Sequence, residues 1–417
     1  MARFKIIGGQ ELKGRVEVSG AKNQALKLIS YAILLNKKCK IRNVPDILDI
    51  RNQMKIASSL NLYLDYKDNV LNITPRELKP EDFDAKTVEL LRSSIVFWGP
   101  LLARFGRVKS RYPGGCVIGA RSINTHLDAF IQAGANVKGS KRDVYLEIKK
   151  PQNSNIALKE QSVSATENIL LYSAAVNCVT RIENIAIEPE IIDLIAIVNR
   201  SGAKINWIGE RQIEVTGNPE LAIPEIEVIP DRIEAATYAL AFIATAGEGE
   251  IHPFIQEHNE AFLTLIQECA VNFKISDNTL QIKKSPNLHP FSVKTAPFPG
   301  FPTDLQSPIS LLAAKANGCS QIHETMFENR FGHLKELSKM GLKYDLVSSR
   351  QAKVCGPTEF SATNIKSPDL RSGITLLIAA LAAKGTTTIS RAEIIDRGYE
   401  RVEEKLSKIG ANIKRIS

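Results

Sequence analysis

A single thiol, Cys116, sits on a glycine-lined turn between two arginines in Arg111-Tyr-Pro-Gly-Gly-Cys-Val-Ile-Gly-Ala-Arg121. Nearby cations favour the thiolate and bring a cysteine toward the working range of a proton donor. The glycines permit backbone paths that other residues resist and leave room for a ligand. A Pro-Gly turn carrying a small apolar residue fits the same segment. Lys22 and Asn23 stand where a Ser-Gly-Ala turn meets an apolar helix, and a helix N-terminus attracts anions. A solvated turn lysine is the plainer reading there. Asp304 and Asp369 each precede an apolar run and suit helix N-caps.

These groups need elements to carry them, and the chain supplies the same set six times. From Asn23, Arg92, Glu167, Arg232, Asp304 and Asp369 runs an apolar helix, then a β-branched strand, an amphipathic helix and two short strands. The spacing is about 65 to 75 residues, the scale of one supersecondary unit. Leu334-Lys-Glu-Leu-Ser-Lys-Met-Gly-Leu-Lys-Tyr passes from helical spacing through a glycine stop into a strand. Tyr145-Leu-Glu-Ile and Gln212-Ile-Glu-Val alternate as strands do. Each unit therefore reads βαβαββ. Six of them predict two α/β (α+β) domains of three, with the all-apolar helices at each centre.

Composition narrows the partners. A net charge of +9 over 417 residues favours anionic ligands. The basic residues are dispersed and aromatics are 6%, which disfavours a base-stacking nucleic-acid surface. Six scattered cysteines (Cys39, Cys116, Cys178, Cys269, Cys319, Cys355) form no C-x-x-C pair and no zinc spacing. All but Cys116 are read as small core or turn residues in a reduced protein. Apolar runs such as Ile374 to Ala383 are too short to span a bilayer, so a soluble cytoplasmic protein without membrane insertion is expected.

With loop and repeats in hand, the chain resembles the UDP-N-acetylglucosamine enolpyruvyl transferases, which share a fold with 5-enolpyruvylshikimate-3-phosphate synthase. The resemblance runs the full length through Val18-Ser-Gly-Ala-Lys-Asn, Gly99-Pro-Leu-Leu-Ala-Arg-Phe-Gly, Pro113-Gly-Gly-Cys, Ala165-Thr-Glu-Asn and Pro230-Asp-Arg-Ile-Glu. Further along come Pro299-Gly-Phe-Pro-Thr-Asp-Leu-Gln, Phe327-Glu-Asn-Arg-Phe, Asp369-Leu-Arg and Ile395-Asp-Arg-Gly-Tyr-Glu. It implies a two-domain inside-out α/β barrel of six βαβαββ repeats. Residues 1–20 with 230–417 would form one domain and 21–229 the other, with the active site in the interdomain cleft.

The implied reaction moves the enolpyruvyl group of phosphoenolpyruvate to the 3-hydroxyl of UDP-N-acetylglucosamine, in peptidoglycan precursor synthesis. It passes through a tetrahedral phospho-ketal and releases phosphate, with no metal or cofactor if fixed cations do the electrostatic work. The resemblance makes Cys116 the acid toward carbon, and the thiol that fosfomycin alkylates. It makes Asp304 the base or orienter of the hydroxyl, and Lys22 and Arg397 catalytic cations. Asn23, Arg92, Arg121, Ser122, Ile123, Asn124, Thr125, Ser162, Val163, Met326, Arg330, Asp369 and Arg371 are the implied substrate contacts. Glu328 and Asn329 would brace the cleft. A monomer is the expected state.

Several positions depart from the family pattern. Ser122-Ile-Asn-Thr-His126 stands where Pro-Val-Asp-Leu-His is usual, so Asn124 both donates and accepts where an aspartate only accepts. Ser164 replaces a glycine or threonine, Lys27 a proline, Met326 a valine and Ile394 a histidine. None is an acid, base or anion clamp. The Asn124 region motivates one competing reading, a paralogue using another nucleotide acceptor such as uridine monophosphate. A second is a non-catalytic UDP-sugar sensor, against which the retention of Cys116, Asp304 and Arg397 argues. Shikimate-3-phosphate fits less well, because the cysteine loop and the Ala21-Lys22-Asn23 turn resemble the sugar-nucleotide branch.

Overall fold

The computed structural model describes residues 2–416 apart from 81, 82, 84, 115–121 and 140–142, and the side chains of 85, 86 and 90 are likewise outside the description. Cys116 and Arg121 therefore lie outside the described residues. The described chain divides into two compact units, one joining the residues up to Ser19 with those from Pro230 onward, the other running from Gly20 to Ile229.

Each unit is organised around helices that are buried on nearly every face. In the unit from Gly20, the helix Lys22–Tyr31 buries nine of its ten residues and the helix Val163–Ala174 buries ten of twelve. In the other, every residue of Arg232–Ala244 is buried, as are twelve of the thirteen in Leu370–Ala382. A helix apolar all round is stable only when enclosed. The enclosure is made by small sheets whose strands alternate inward and outward side chains. In strand Arg3–Gly8, Phe4 and Ile6 point into the core while Arg3, Lys5 and Ile7 stay exposed. Helices inside and sheets outside make each unit an inside-out α/β barrel.

Six sheets are present among the described residues, five of four strands and one of three. The regular pattern is clear in Ser292–Lys294, Gly318–His323, Gln351–Gly356 and Lys343–Ser348. The first two pair in parallel, and the rest antiparallel. The N-terminal strands join the unit built on the last three repeats. Arg3–Gly8 lies between Gly385–Ser390 and Asn412–Ile416, and Lys13–Glu17 runs parallel to Glu248–His252. The second repeat is the least regular: its central helix begins as a 3-10 turn over Arg92–Phe97 before the helix Trp98–Phe105, and its sheet is the three-stranded one. That helix meets Val163–Ala174 at Gly99, whose N–H donates to Asn168 Oδ1 at 2.6 Å. A Cβ on Gly99 would fall 2.0 Å from the Asn168 carbonyl oxygen, which accounts for the glycine.

The cysteine expectation needs one correction. Cys319 and Cys355 form a disulfide, 36 residues apart in sequence. They face each other on adjacent antiparallel strands, a partnership set by strand register and invisible in spacing. Cys39 and Cys269 are buried and free, and burial pushes both thiols up to about 12, so they behave as small core residues. No helix among the described residues is long and apolar enough to cross a membrane.

Candidate active site

In the unit containing residues 230–416, the fold gathers Asp304, Arg330 and Arg371 from three separate elements. Asp304 lies within a 3-10 turn, Thr303–Leu305, whose N-cap is Pro302, so its carboxylate does not serve as the cap. Instead Arg330 Nη2 donates to Oδ1 at 2.7 Å and Arg371 Nη2 donates to Oδ2 at 2.8 Å. Burial alone would raise this carboxyl, but Arg371 and then Arg330 outweigh it and hold Asp304 well below the usual carboxylate range.

Both arginines are fixed from behind. Arg330 Nη1 donates to Thr303 Oγ1 at 2.6 Å, and that hydroxyl donates to the buried Glu324 at 2.7 Å. Arg371 Nη1 donates to Tyr399 Oη at 2.9 Å. Tyr399 Oη is also 3.1 Å from Thr237 Oγ1, and Thr237 gives its one hydroxyl hydrogen to the Ile233 carbonyl at 2.6 Å. Tyr399 must therefore donate to Thr237 and accept from Arg371. Asp369 does cap its helix, accepting from the N–H groups of Arg371 and Ser372 at 3.0 and 3.1 Å.

The remaining expected residues of this unit lie nearby in sequence or structure. Met326 is 39% exposed, and its N–H donates to Glu324 Oε1 at 2.7 Å. Glu328 pairs with Arg350, and Asn329 immediately precedes Arg330. Arg397 ends the 3-10 turn Ala392–Arg397, two residues before Tyr399.

The unit from Gly20 to Ile229 carries a second set. Lys22 is the first residue of its helix, which has no side-chain cap. It is not a solvated turn lysine: it is buried, with Nζ 2.7 Å from Asp49 Oδ2. One turn on, Lys27 Nζ donates to the Asn23 carbonyl at 3.1 Å and lies 3.0 Å from Glu167 Oε2. That oxygen is at ion-pair distance yet accepts no aligned hydrogen bond. Burial pushes Glu167 up to about 7 despite the ammonium beside it. Ser162 caps the helix that bears Glu167, accepting from Ala165 N–H at 3.4 Å, and Val163 opens it.

The segment that departs most from the family pattern is well anchored. Arg92 Nη2 donates to the Ser122 carbonyl at 2.9 Å, and Ser122 Oγ accepts from the N–H of Asn124 at 3.0 Å. Ile123 is buried, and Thr125 Oγ1 donates to Glu160 at 2.8 Å. His126 is enclosed between Asn168 and Ser164, with Asn168 Nδ2 3.1 Å from its Nδ1 and Ser164 Oγ 3.0 Å from its Nε2. Asn168 Nδ2 can only donate, so Nδ1 accepts and Nε2–H of the neutral ring donates to the serine. Burial, with Arg92 and Lys27 adding to it, pushes this imidazole down to about 3. The unusual Ser164 thus supplies the acceptor that a buried neutral histidine needs.

Sequence reasoning missed Asp49, Tyr399, Thr303 and the Lys27–Glu167 pair. Asp49 begins an amphipathic helix where an acidic residue is unremarkable, and Tyr399 sits inside a motif already assigned to Arg397. The replacement of a proline by Lys27 was visible, but its buried partner was not.

A family model described as EPSP synthase (3-phosphoshikimate 1-carboxyvinyltransferase) matches residues 6–406. Among curated relatives, a UDP-N-acetylglucosamine 1-carboxyvinyltransferase 2 of Carboxydothermus hydrogenoformans is 38% identical over 419 residues, covering all of both chains. A UDP-N-acetylglucosamine 1-carboxyvinyltransferase of Geobacter metallireducens is 38% identical over 416 residues, again covering both completely. The solved structure of the enolpyruvyl transferase NikO from Streptomyces tendae aligns with a TM-score of 0.89 at 23% identity, covering 99% of this chain and 98% of that one. An EPSP synthase from Acinetobacter baumannii aligns over all of both chains with a TM-score of 0.74 at 15% identity. At those identities the two structures speak for the fold. The family match and the full-length relatives go further: the chain belongs to the EPSP synthase family of 1-carboxyvinyltransferases.

Proposed function

We propose that the protein is an enolpyruvyl transferase that joins phosphoenolpyruvate to the 3-hydroxyl of UDP-N-acetylglucosamine, the first committed step of peptidoglycan precursor synthesis. The observation that carries this reading is the end-to-end 38% identity to proteins named for that activity. The geometry supports it. Buried guanidinium groups at Arg330 and Arg371 and the ammonium of Lys22 provide fixed positive charge suited to an anionic substrate. Asp304 supplies the carboxylate.

In the reaction, the hydroxyl O–H bond breaks and its proton passes to Asp304 while oxygen bonds to C2 of the enolpyruvyl group. The methylene carbon takes a proton from Cys116, the acid that the family resemblance assigns. Arg397 and Arg121, with Lys22, hold the phosphate and carboxylate as the tetrahedral ketal forms. In the elimination a methyl C–H bond breaks and its proton returns to the Cys116 thiolate, while the electron pair forms the new C=C bond. The C–O bond to phosphate breaks, the departing phosphate taking up the proton held by Asp304. Asn23, Arg92 and residues 122–125, with Ser162, Val163 and Met326, line the nucleotide-sugar end, and Asp369 braces the backbone of Arg371. The protein works in the cytoplasm, a reading supported by the nature of its substrates.

The test is direct. Phosphate release is followed with phosphoenolpyruvate and UDP-N-acetylglucosamine, without added metal. Release dependent on that sugar nucleotide is expected. Release with uridine monophosphate but not with the sugar nucleotide would overturn the reading, as would tight sugar-nucleotide binding without turnover of any acceptor.

A further inference from the structure

Asp304 is a poor base in the arrangement just described. A general base works best when its proton affinity matches the working pH. A carboxylate taking a charge-assisted hydrogen bond on each oxygen has that affinity suppressed. The groups facing it are Arg330 and Arg371, with Thr303 and Glu324 behind the first and Tyr399 and Asp231 acting on the second. Nothing in that set returns proton affinity to the carboxylate while both arginines stay in place.

Both arginines are anchored from behind, Arg330 through Thr303 to Glu324, but they differ in one donor. Arg371 is secured on its far side by the Tyr399–Thr237–Ile233 chain. Arg330 has an unspent donor: its buried Nε has no hydrogen-bond partner among the described residues. Its side chain is 4% exposed, whereas that of Asp304 is 28% exposed. An orphaned N–H on a buried guanidinium is costly, and a carboxylate or phosphate that takes a bidentate grip on Arg330 would relieve it.

The geometry points to Arg330 as a substrate-released latch on Asp304: an anionic group of phosphoenolpyruvate draws Arg330 away, Arg371 stays, and only then does Asp304 accept the hydroxyl proton. This rests on the functional reading above and adds an order to it, since the base switches on when the enolpyruvyl donor arrives. The proton balance is simple. The sugar O–H bond breaks, its proton makes Asp304 a neutral acid, and the oxygen lone pair forms the new C–O bond. The retained Arg371 contact keeps the carboxyl oriented throughout. Without the donor the latch is closed, so the sugar hydroxyl is not deprotonated unproductively.

Calorimetry of phosphoenolpyruvate binding tests the latch without turnover. Titrations are run in the presence of a 3-deoxy UDP-sugar, which lacks the acceptor hydroxyl, in buffers of different ionisation enthalpy, at pH values from about 6.5 to about 5. The wild type is expected to take up more protons than Asp304→Asn, with the excess growing as pH falls. Arg330→Met opens the latch beforehand, so its uptake is expected to lack that excess; this variant also serves should Asp304→Asn misfold. Equal uptake by wild type and Asp304→Asn, or an undiminished excess in Arg330→Met, overturns the latch alone. Failure of phosphoenolpyruvate to bind at all overturns the functional reading and the latch with it.

Discussion

Replacing Lys27 by methionine removes the only cation found at ion-pair distance from Glu167 among the described residues and keeps most of the aliphatic stem. Glu167 is 1% exposed, so losing its partner strands a buried carboxylate, a change that costs about 3–5 kcal/mol. The exposed Arg181–Glu214 pair, by contrast, is of a kind worth about 0–1 kcal/mol. The cost should depend on pH with a definite sign. In the native protein Glu167 is raised from 4.5 to about 7. A raised folded pKa contributes stability that is complete below 4.5 and is lost as pH rises through about 7, a swing of roughly 3 kcal/mol.

Without Lys27 the carboxyl rises further, and that loss extends to higher pH. Lys27→Met should therefore be mild at pH about 5.5, where Glu167 is already protonated, and severe at pH about 8.5. Adding Glu167→Gln removes the titrating group and should recover most of the loss at high pH. Urea unfolding followed by circular dichroism at both pH values, for wild type, the single variant and the double, provides the measurement. A penalty that is the same at both pH values, or a double variant no more stable than the single, would refute the reasoning.

The buried His126 should act in the opposite sense over an overlapping interval. Its folded value, about 3, lies below the unfolded 6.5, so its stability contribution is complete above 6.5 and is lost as pH falls toward 3, about 4–5 kcal/mol in all. His126→Gln should be destabilising at pH about 7, where hydrogen bonds to Asn168 and Ser164 are lost, yet lose less stability on acidification. Parallel acid slopes in urea midpoints for the two proteins would contradict this. The cysteines give a second check. Alkylation after unfolding without reductant should label four of the six, leaving Cys319 and Cys355 bridged, and six labels would contradict the bond.

Much of the architecture was legible from local pattern. A helix apolar on every face must be enclosed, and a strand that alternates must cover something, so six recurring helix and strand patterns already specify helices inside sheets. Arg232–Ala244 and Leu370–Ala382 are the clearest cases, since most of their residues are apolar on every face. The family could also be read from short motifs in a fixed order. The irregular second repeat was not legible, because the apolar half of the 3-10 turn Arg92–Phe97, Ile95 to Phe97, runs without a break into the helix that follows it.

The ionisation states of the candidate site were beyond the reach of sequence. Asp304, Arg330 and Arg371 were each visible as suitable residue types, but only folding brings residues 26 and 67 positions away onto opposite oxygens of one carboxylate. Lys22 was visible as a candidate cation but its partner Asp49 was not, and Lys27 looked like a stray substitution until Glu167 faced it across 140 positions. The physical reason is the same throughout. Periodicity and capping are interactions between residues a few positions apart, so the chain declares them. A proton affinity is set by the charges and solvent around a group once the backbone has closed, and tertiary packing alone decides which those are.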